Sequence, residues 1–270
     1  MRGTKITRLS ATKLESFVTC PYKYYLKYVR RAEKFAPSTT HMIFGVTIHK
    51  ILEDFAQYVI TTKLAEDEGQ VASDLFQQLQ RIYTLKFRDL MSRHPNILRH
   101  LKMTLNSVFS MYVQPYFTWF VSNKIYAKHI EPERAFEVSI LDISRTLPAE
   151  RLHPSWEKYG HIVLNGKIDL TIYPDIVIDY KTQPFPPHLK RLLGSFQTNL
   201  YTLIEDKDMV FIYMYLKAPL RMPTIKILRE SRLHKFNEII EVLDILTGVH
   251  GYKKNPKSCD RCIFKKMCSS

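Results

Sequence analysis

The chain has 270 residues, of which 45% are hydrophobic and 24% are charged, and this balance is typical of a globular protein and excludes a disordered one. Its formal net charge of +14 favours nucleic acid over a membrane surface as the partner, although a gain in solubility alone would also explain the charge. The sequence contains no run of 18 or more apolar residues and no continuous apolar stretch of the secretory type near its start, so we expect no membrane contact and a cytoplasmic location.

The first predicted element is an amphipathic helix over residues 9–35. Ser10 or Thr12 can cap it, and Pro21 should kink it or restart it directly after Cys20. The stretch that begins at this cysteine, CPYKYYLKYVRR, alternates tyrosines with lysines and arginines. Such a stretch can bind single-stranded nucleic acid by stacking and phosphate pairing, or it can be an amphipathic helix with half-buried tyrosines.

Three further helices are expected at residues 43–64, 71–93 and 97–128, with the last one kinked or split at Pro115. The first of these has a predicted core stripe at helical spacing, formed by Phe44, Ile48, Leu52, Phe55 and Val59. The last is rich in aromatic residues that we expect in the core, with a base-stacking platform as the alternative: Tyr112, Tyr116, Phe117, Trp119, Phe120 and Tyr126.

A β-hairpin is predicted between His161 and Thr182. Apolar residues occupy mainly the even positions from Ile162 onwards, which indicates a strand with one buried face. Pro174 and Asp175 are turn residues, and alternation resumes after them.

A turn centred on Pro174 would pair each residue i with residue 348 − i and would place Asp169 opposite Asp179. Their Cβ atoms would then lie roughly 5 Å apart, and like charges in that arrangement destabilise a sheet. A divalent cation would remove the repulsion, and Lys181 would point to the same side of the strand. The alternative is a solvated hairpin edge with ordinary surface charges.

The other predicted elements alternate strands with helices, which indicates an α/β chain. They are a strand at Phe136–Ile143, a helix at Leu189–Ile204, strands at Met209–Lys217 and Thr224–Leu228, and a helix at Ser231–Gly248.

Three of the four cysteines crowd into the C-terminal tail with the spacing Cys259-x2-Cys262-x5-Cys268. Three thiolates leave a tetrahedral centre one ligand short, and Cys20 is the remaining cysteine. Four thiolates can hold zinc or an iron–sulfur cluster, and spacing does not choose between them. Unrelated free thiols are the alternative.

Six motifs stand in one order along the chain. They are Ser-x-Thr-x-Leu followed by Cys-Pro-Tyr-Lys-Tyr-Tyr, Gly45-x-x-x-His49, Gly166-Lys-Ile-Asp169, Asp179-Tyr-Lys181, Gln197-x-x-x-Tyr201 and the cysteine tail. Together they resemble the RecB-like exonuclease branch of the PD-(D/E)xK nuclease superfamily. The chain is similar to the iron–sulfur nucleases associated with CRISPR adaptation and to the nuclease domains of AddB-type recombination enzymes.

The resemblance implies a role for each matching position. His49, Asp169, Asp179 and the Tyr180 carbonyl correspond to ligands of Mg²⁺ or Mn²⁺, and Lys181 corresponds to the lysine that positions the attacking water. The catalytic set is thus Asp169, Asp179 and Lys181. The remaining correspondences are DNA-binding or supporting positions at Gln197, Tyr201, Tyr24 and Lys23, and ligands of a 4Fe–4S cluster at Cys20, Cys259, Cys262 and Cys268.

We therefore expect a single α/β nuclease domain over residues 1–270, with a restriction-endonuclease-like mixed sheet flanked by helices. Residues 55–130 would form a helical insertion, and residues 252–270 a cysteine-rich tail that closes onto the N-terminal helix. The expected activity is metal-dependent DNA hydrolysis, as an exonuclease on single strands or ends, with DNA and proteins of a recombination or CRISPR complex as partners. The alternatives are a non-catalytic DNA-binding or scaffold member of the fold, and a zinc-stabilised interaction module.

Overall fold

A computed structural model describes residues 6–32, 39–62, 67–183, 192, 194–248 and 252–268. Within this part of the chain, one mixed β-sheet lies between two layers of helices, so the predicted α/β class is confirmed. The strands of the sheet are β1 (Arg8–Leu9), β2 (Ile130–Ser139), β3 (Val163–Ile172), β4 (Ile176–Lys181), β5 (Met209–Tyr215) and β6 (Thr224–Ile227).

The sheet has the order β1-β3-β4-β5-β6, and β2 also pairs with β3. Strand β3 runs parallel to β1 and antiparallel to β2 and β4, whereas β4 and β5 are parallel. Strand β2 pairs with β3 from end to end, apart from Glu133 and Asp169, and occupies one of its two edges. The other edge is therefore shared by β1 at one end and β4 at the other.

The helices are, in chain order, α1 (Ala11–Thr19), α2 (Pro21–Tyr24), α3 (Thr40–Thr61), α4 (Glu68–Arg93), α5 (Ile97–Leu101), α6 (Leu105–Val108), α7 (Gln114–Ser122), α8 (Ile140–Ser144), α9 (Phe196–Ile204), α10 (Arg232–Thr247) and α11 (Lys265–Cys268). Two π-helical turns lie between them, at Tyr25–Val29 and Phe109–Val113. Among the described helices, none combines the length and the apolar character that crossing a bilayer would need.

The layer on one face of the sheet is built from α3 to α7. The predicted apolar stripe of α3 is buried as expected, and it packs with α4 and α7 on the even-numbered side chains of β4, such as Ile178 and Tyr180. The aromatic residues predicted as core belong to this layer; Tyr116 and Phe120 are fully buried, and Tyr112 is nearly so. The predicted helical insertion over residues 55–130 would begin inside α3, because this helix continues to Thr61.

The layer on the opposite face contains α1, α9 and α10. Helix α1 is capped by Ser10, whose side chain accepts from the Lys13 N–H, and a new helix starts at Pro21 as predicted. Helix α10 is flanked by the predicted Ser231 and Gly248. The predicted start of α9 at Leu189 lies outside the described residues.

Two sequence predictions about strands were wrong. The strand predicted at Phe136–Ile143 begins at Ile130 and ends at Ser139, because the Ser139 side chain caps a short helix by accepting from the Asp142 N–H. The hairpin was expected to bury one face, but Val177 and Ile178 on β4 are both fully buried. Helices cover both faces of the sheet, so alternation no longer separates core from solvent.

Candidate active site

The β3–β4 hairpin has the predicted register, but its ladder stops early. Leu170 pairs with Ile178, and the next two pairs towards the turn fit the same sum of residue numbers. The following pair would be Asp169 with Asp179, and it does not form. The two strands part at this point, and the two carboxylates lie on either side of the opening.

The carboxylate of Asp169 bridges the opening. Its Oδ2 accepts a hydrogen bond of 2.6 Å from the backbone N–H of Tyr180. Its Oδ1 lies 3.3 Å from Nδ1 of His49, which α3 places over the sheet. Gly45 allows this approach, because a Cβ there would lie 3.1 Å from the side-chain oxygen of Thr182.

Asp179 is held from two sides and is only 3% exposed. Lys181 Nζ lies 2.5 Å from Asp179 Oδ2, as expected for residues i and i+2 on one face of a strand. Gln197 Nε2 donates to Asp179 Oδ1, and Gln197 Oε1 accepts from Lys181 Nζ at 3.2 Å. Tyr201, one turn further along α9, contacts Gln197 Nε2 at 3.1 Å and donates to the Lys167 carbonyl.

Burial and charge shift the ionisation of these groups. Burial is the main cause that raises the pKa of Asp179 above its ordinary value, and Lys181 opposes it. Burial, the largest single cause, lowers the pKa of Lys181, but the charge and hydrogen bond of Asp179 and the charge of Asp169 together outweigh it, so the pKa is raised. His49 follows the same pattern: burial lowers its pKa, but the hydrogen bond and charge of Asp169 and the charge of Asp179 together raise it, with a net rise.

Tyr213 also supports this site, and sequence reasoning did not single it out. Lys181 Nζ lies 5.5 Å from the ring centre of Tyr213 on β5, whose hydroxyl contacts those of Ser195 and Thr198. On the other face of β4, the Tyr180 hydroxyl donates to that of Tyr116 at 3.2 Å. Strand periodicity could have placed Tyr213 beside Asp179, since the two are register partners.

The predicted positions Lys23 and Tyr24 lie elsewhere, on α2. The Tyr24 ring is 5% exposed and packs against Phe17, Tyr28 and Tyr252. These contacts support the amphipathic-helix explanation of the tyrosine-rich stretch, and a role in DNA binding stays a prediction. Lys23 lies at the cavity that the cysteines line.

The four cysteines line one small cavity between α2 and the C-terminal tail, although Cys20 and the tail cysteines are near opposite ends of the chain. Asn255 connects the two parts. Its backbone N–H points at Cys20 Sγ at 3.4 Å, its side chain donates to the Thr19 carbonyl at 2.8 Å, and its carbonyl accepts from Cys259 Sγ at 3.6 Å.

Rings also hold the tail in place. Tyr252 stacks on Tyr25 with ring centres 4.9 Å apart, and the Tyr22 N–H donates to the Lys253 carbonyl. The tail therefore docks on α2 through contacts other than those of the thiols. Within the described ranges, no set of three or more His, Cys, Asp or Glu side chains has the arrangement of a formed metal site.

Both donor sets match the metals that the motifs imply. Carboxylate oxygens suit Mg²⁺ or Mn²⁺, and Asp169 and Asp179 supply them. Four thiols around one cavity suit a thiolate-bound centre. In each case the residues fit by chemistry, and the side chains would have to turn towards the metal, because Asp179 now bonds Lys181 and Gln197.

A model of a protein family, described as the PD-(D/E)XK nuclease superfamily, matches residues 8–269 of the chain. Members of that superfamily typically use Mg²⁺ or Mn²⁺. The match spans almost the whole sequence and includes both the open hairpin and the cysteine tail.

Among curated proteins, the chain is similar to a subunit of the ATP-dependent helicase/deoxyribonuclease of Carboxydothermus hydrogenoformans, with 26% identity over 224 residues. The match covers 74% of this chain and 19% of that protein, so the chain spans about a fifth of its relative's length.

Two solved structures are also similar. A putative exonuclease from Eubacterium rectale has 9% identity and a TM-score of 0.44, over 95% of this chain and 87% of that one. SSO0001 has 14% identity and a TM-score of 0.38, over 99% of this chain and 88% of that one.

Proposed function

We infer the function from one premise, which is that the chain belongs to the PD-(D/E)XK nuclease superfamily. We propose that it is a divalent-metal-dependent deoxyribonuclease that hydrolyses phosphodiester bonds, as an exonuclease on single-stranded DNA or DNA ends. The observation that carries this proposal is the meeting of Asp169, Asp179 and Lys181 where β3 and β4 part. The name of the deoxyribonuclease relative and the net charge of +14 support DNA as the substrate.

In this proposal His49, Asp169 and Asp179, with the backbone carbonyl of Tyr180, hold Mg²⁺ or Mn²⁺. A bound divalent ion supplies a Lewis acid that lowers the pKa of water and neutralises charge on the phosphate. The chain's own part is to present oxygen ligands from β3 and β4 and an imidazole nitrogen from α3. His49 is held in place by Asp169 and by the edge of the Tyr180 ring, 5.8 Å away between centres.

Lys181 supplies fixed positive charge at the place where the phosphorane oxyanion develops. Such preorganised charge is effective because a buried site needs little rearrangement during the reaction. The Lys181 ammonium lies over the Tyr213 ring and donates a hydrogen bond to Gln197, and both contacts limit its movement. Gln197 and Tyr201 thus support the catalytic groups, and in this proposal they also lie beside the DNA backbone.

A non-catalytic DNA-binding or scaffold protein is the main rival. It would retain the basic surface and the fold, but it has no chemical use for two aspartates and a lysine held together. A buried carboxylate whose pKa is raised by burial is destabilising when ionised, and such groups cluster at functional sites. The Asp169–Asp179–Lys181 set therefore favours catalysis.

We also propose that Cys20, Cys259, Cys262 and Cys268 hold a 4Fe–4S cluster. Their common cavity and the family resemblance support this assignment. Hydrolysis needs no electron transfer, so the cluster is structural: it fastens a basic tail to α2. The zinc alternative differs in iron content and colour.

The setting we propose is DNA recombination, repair or CRISPR-type processing in the cytoplasm, with DNA as the partner. The helicase/deoxyribonuclease relative is a subunit of an enzyme, which suggests that this chain also works with protein partners.

The proposed function is tested by digestion of end-labelled single- and double-stranded DNA with Mg²⁺ or Mn²⁺, beside an EDTA control. We expect products that shorten progressively from one end of single strands, and no products in EDTA. Binding of DNA without any cleavage under both metals would favour the scaffold alternative.

A further inference from the structure

Partway along β3, the side chains change the face of the sheet to which they point. In a regular strand, residues two apart share one face. On β3, however, Leu164 and Ile168 belong to apolar clusters with residues of α9, whereas Leu170 and Ile172 pack with residues of α3 on the opposite face. The change of face therefore occurs between Ile168 and Leu170, at Asp169.

Strand β2 changes face at the same level. Ile130 packs with residues of α3, whereas Arg134 forms an ion pair with Glu205, directly after α9. The change on β2 thus lies between Ile130 and Arg134. Glu133 lies in this interval, opposite Asp169, and the β2–β3 ladder skips this one pair.

The backbone of Glu133 accounts for the change of face. Its φ is 50°, and among the described non-glycine residues with a positive φ it is the one that lies inside a strand. Extended residues have φ near −120° to −140°, so a single left-handed residue interrupts the alternation of side chains. Glutamate disfavours this conformation because of its Cβ, and such backbone outliers cluster at functional sites.

The change of face determines where the Asp169 carboxylate points. On a regular strand, this side chain would lie on one face of the sheet. Instead it points towards the neighbouring strand, where Oδ2 accepts from the Tyr180 N–H at 2.6 Å, while Oδ1 lies 3.3 Å from His49 Nδ1 on α3. Asp169 therefore reaches both partners because β2 and β3 change face at its position.

The carboxylate of Glu133 does not explain its backbone conformation. Its partner is Lys167 Nζ at 3.0 Å, and 63% of the Lys167 side chain is exposed. An ion pair with so exposed a partner contributes little to stability. We therefore attribute the left-handed conformation to the change of face and not to the ion pair.

We propose that Glu133 is a positioning residue, whose left-handed backbone makes β2 and β3 change face and thereby directs Asp169 to both His49 and Tyr180. The role belongs to the backbone conformation, so a residue that readily adopts a positive φ can replace glutamate. The proposal rests on the proposed nuclease function, since it explains how one carboxylate ligand of the metal is aimed.

Four substitutions separate the backbone of Glu133 from its carboxylate. Glu133→Gly, Glu133→Asn, Glu133→Gln and Glu133→Val all remove the ion pair with Lys167. Glycine and asparagine readily adopt a positive φ, glutamine resembles glutamate, and β-branched valine strongly disfavours this conformation. Glu137→Val is the matched control, because Glu137 lies on the same strand without a positive φ and its side chain is exposed.

The Tyr180 amide reports the position of Asp169 without metal or DNA, because its hydrogen bond to the carboxylate protects it from hydrogen exchange. Relative to the Phe211 amide on β5, it should exchange at least about tenfold faster in Glu133→Val than in wild type. The Gly, Asn and Gln variants and Glu137→Val should exchange as wild type. Full protection in Glu133→Val, or lost protection in the Gly, Asn or Gln variant, would overturn the proposal.

If Glu133→Val does not fold, the melting temperatures of two other variants decide. Glu133→Gly should melt higher than Glu133→Gln, because glycine has no Cβ to disfavour a φ of 50°. The opposite order would overturn the proposal.

Binding of Mn²⁺ alone, measured by calorimetry, connects the position of Asp169 to the metal site. Glu133→Val should bind Mn²⁺ at least about tenfold more weakly than wild type, and the other variants should bind as wild type. Wild-type Mn²⁺ affinity in folded Glu133→Val would overturn the positioning role. If wild type binds no Mn²⁺ but the amide exchange follows the expected order, the proposed metal site is refuted and the positioning role is supported.

Discussion

The carboxylate of Asp169 accepts the backbone N–H of Tyr180 at 2.6 Å, across the point where β3 and β4 stop pairing. The Asp169 side chain thus takes the place of a backbone hydrogen bond between the two strands, and the same side chain contacts His49. Asp169 has two separable functions, since the hydrogen bond needs an oxygen and the proposed metal site needs a charge.

Two substitutions at Asp169 should separate them. Asp169→Asn keeps an acceptor for the Tyr180 N–H, so its free energy of unfolding should be close to that of wild type. Asp169→Ala leaves that donor without its partner and should lower the free energy of unfolding by about 1–3 kcal/mol. Neither should cleave DNA. Chemical denaturation and a cleavage assay measure both effects, and equal stability of the two variants would contradict the role of the hydrogen bond.

Gln197 should be required for both stability and activity. Gln197→Ala removes the donor to the buried Asp179 and the acceptor for Lys181. We therefore expect the free energy of unfolding to fall by about 1–3 kcal/mol and DNA cleavage to be much slower. Thr202→Val on the same helix is the control, because the Thr202 hydroxyl bonds only the Thr198 carbonyl in the described contacts. Normal cleavage by Gln197→Ala would show that Gln197 does not support the site.

The ion pairs of Asp54 should stabilise the fold in a pH-dependent way. Burial raises the pKa of Asp54, but hydrogen bonds from Lys86 and Lys50 outweigh it, and the pKa is lowered from 3.8. A lowered pKa in the folded state contributes stability above the unfolded pKa, and this contribution is lost as the pH falls through the folded value.

Asp54→Asn should therefore lower the free energy of unfolding by about 0.2–1 kcal/mol at neutral pH. This difference in unfolding free energy between the variant and wild type should disappear as the pH falls below the lowered pKa of Asp54. Urea denaturation at several pH values measures it. Asp89→Asn, at an exposed pair with Arg93, is the control and should have a smaller effect. A difference that persists or grows in acid would contradict the assignment.

Each cysteine should be needed for iron. Protein purified without oxygen should be brown and contain about four irons per chain. Cys20→Ala should lose the colour as fully as Cys262→Ala, whereas Asp179→Asn should keep it. Full iron content in Cys20→Ala would exclude Cys20 as the fourth ligand. One zinc and no iron in the wild-type protein would show that the four cysteines form a zinc site and not an iron–sulfur cluster.

Local patterns predicted much of this fold. The spacing of Phe44 to Val59 determined which side of α3 is buried, and Pro174 set the register of the hairpin. These features depend on helical spacing or on turn chemistry, which neighbouring residues determine. The docking of the tail beside Cys20 also followed from a simple need for a fourth thiolate.

Other features depend on contacts distant in sequence. The parting of β3 and β4 at Asp169 cannot be read from alternation, which continues through this position. Glu133, at the same level on β2, has a left-handed backbone with φ of 50°, and the β2–β3 ladder skips this pair too. The edge of β3 lacks a neighbouring strand over residues 165–169 because β1 and β4 pair with different ends of this edge in the described part of the chain.

The central claim is that Asp169, Asp179 and Lys181 form a cleavage site. The most direct measurement compares wild type with Lys181→Ala and Asp179→Asn, in single-turnover cleavage of end-labelled single-stranded DNA with Mn²⁺ and in binding of the same DNA in EDTA. We expect both variants to fold and bind DNA, with cleavage at least about 10²-fold slower than wild type. Cleavage at the wild-type rate by either folded variant would contradict the account.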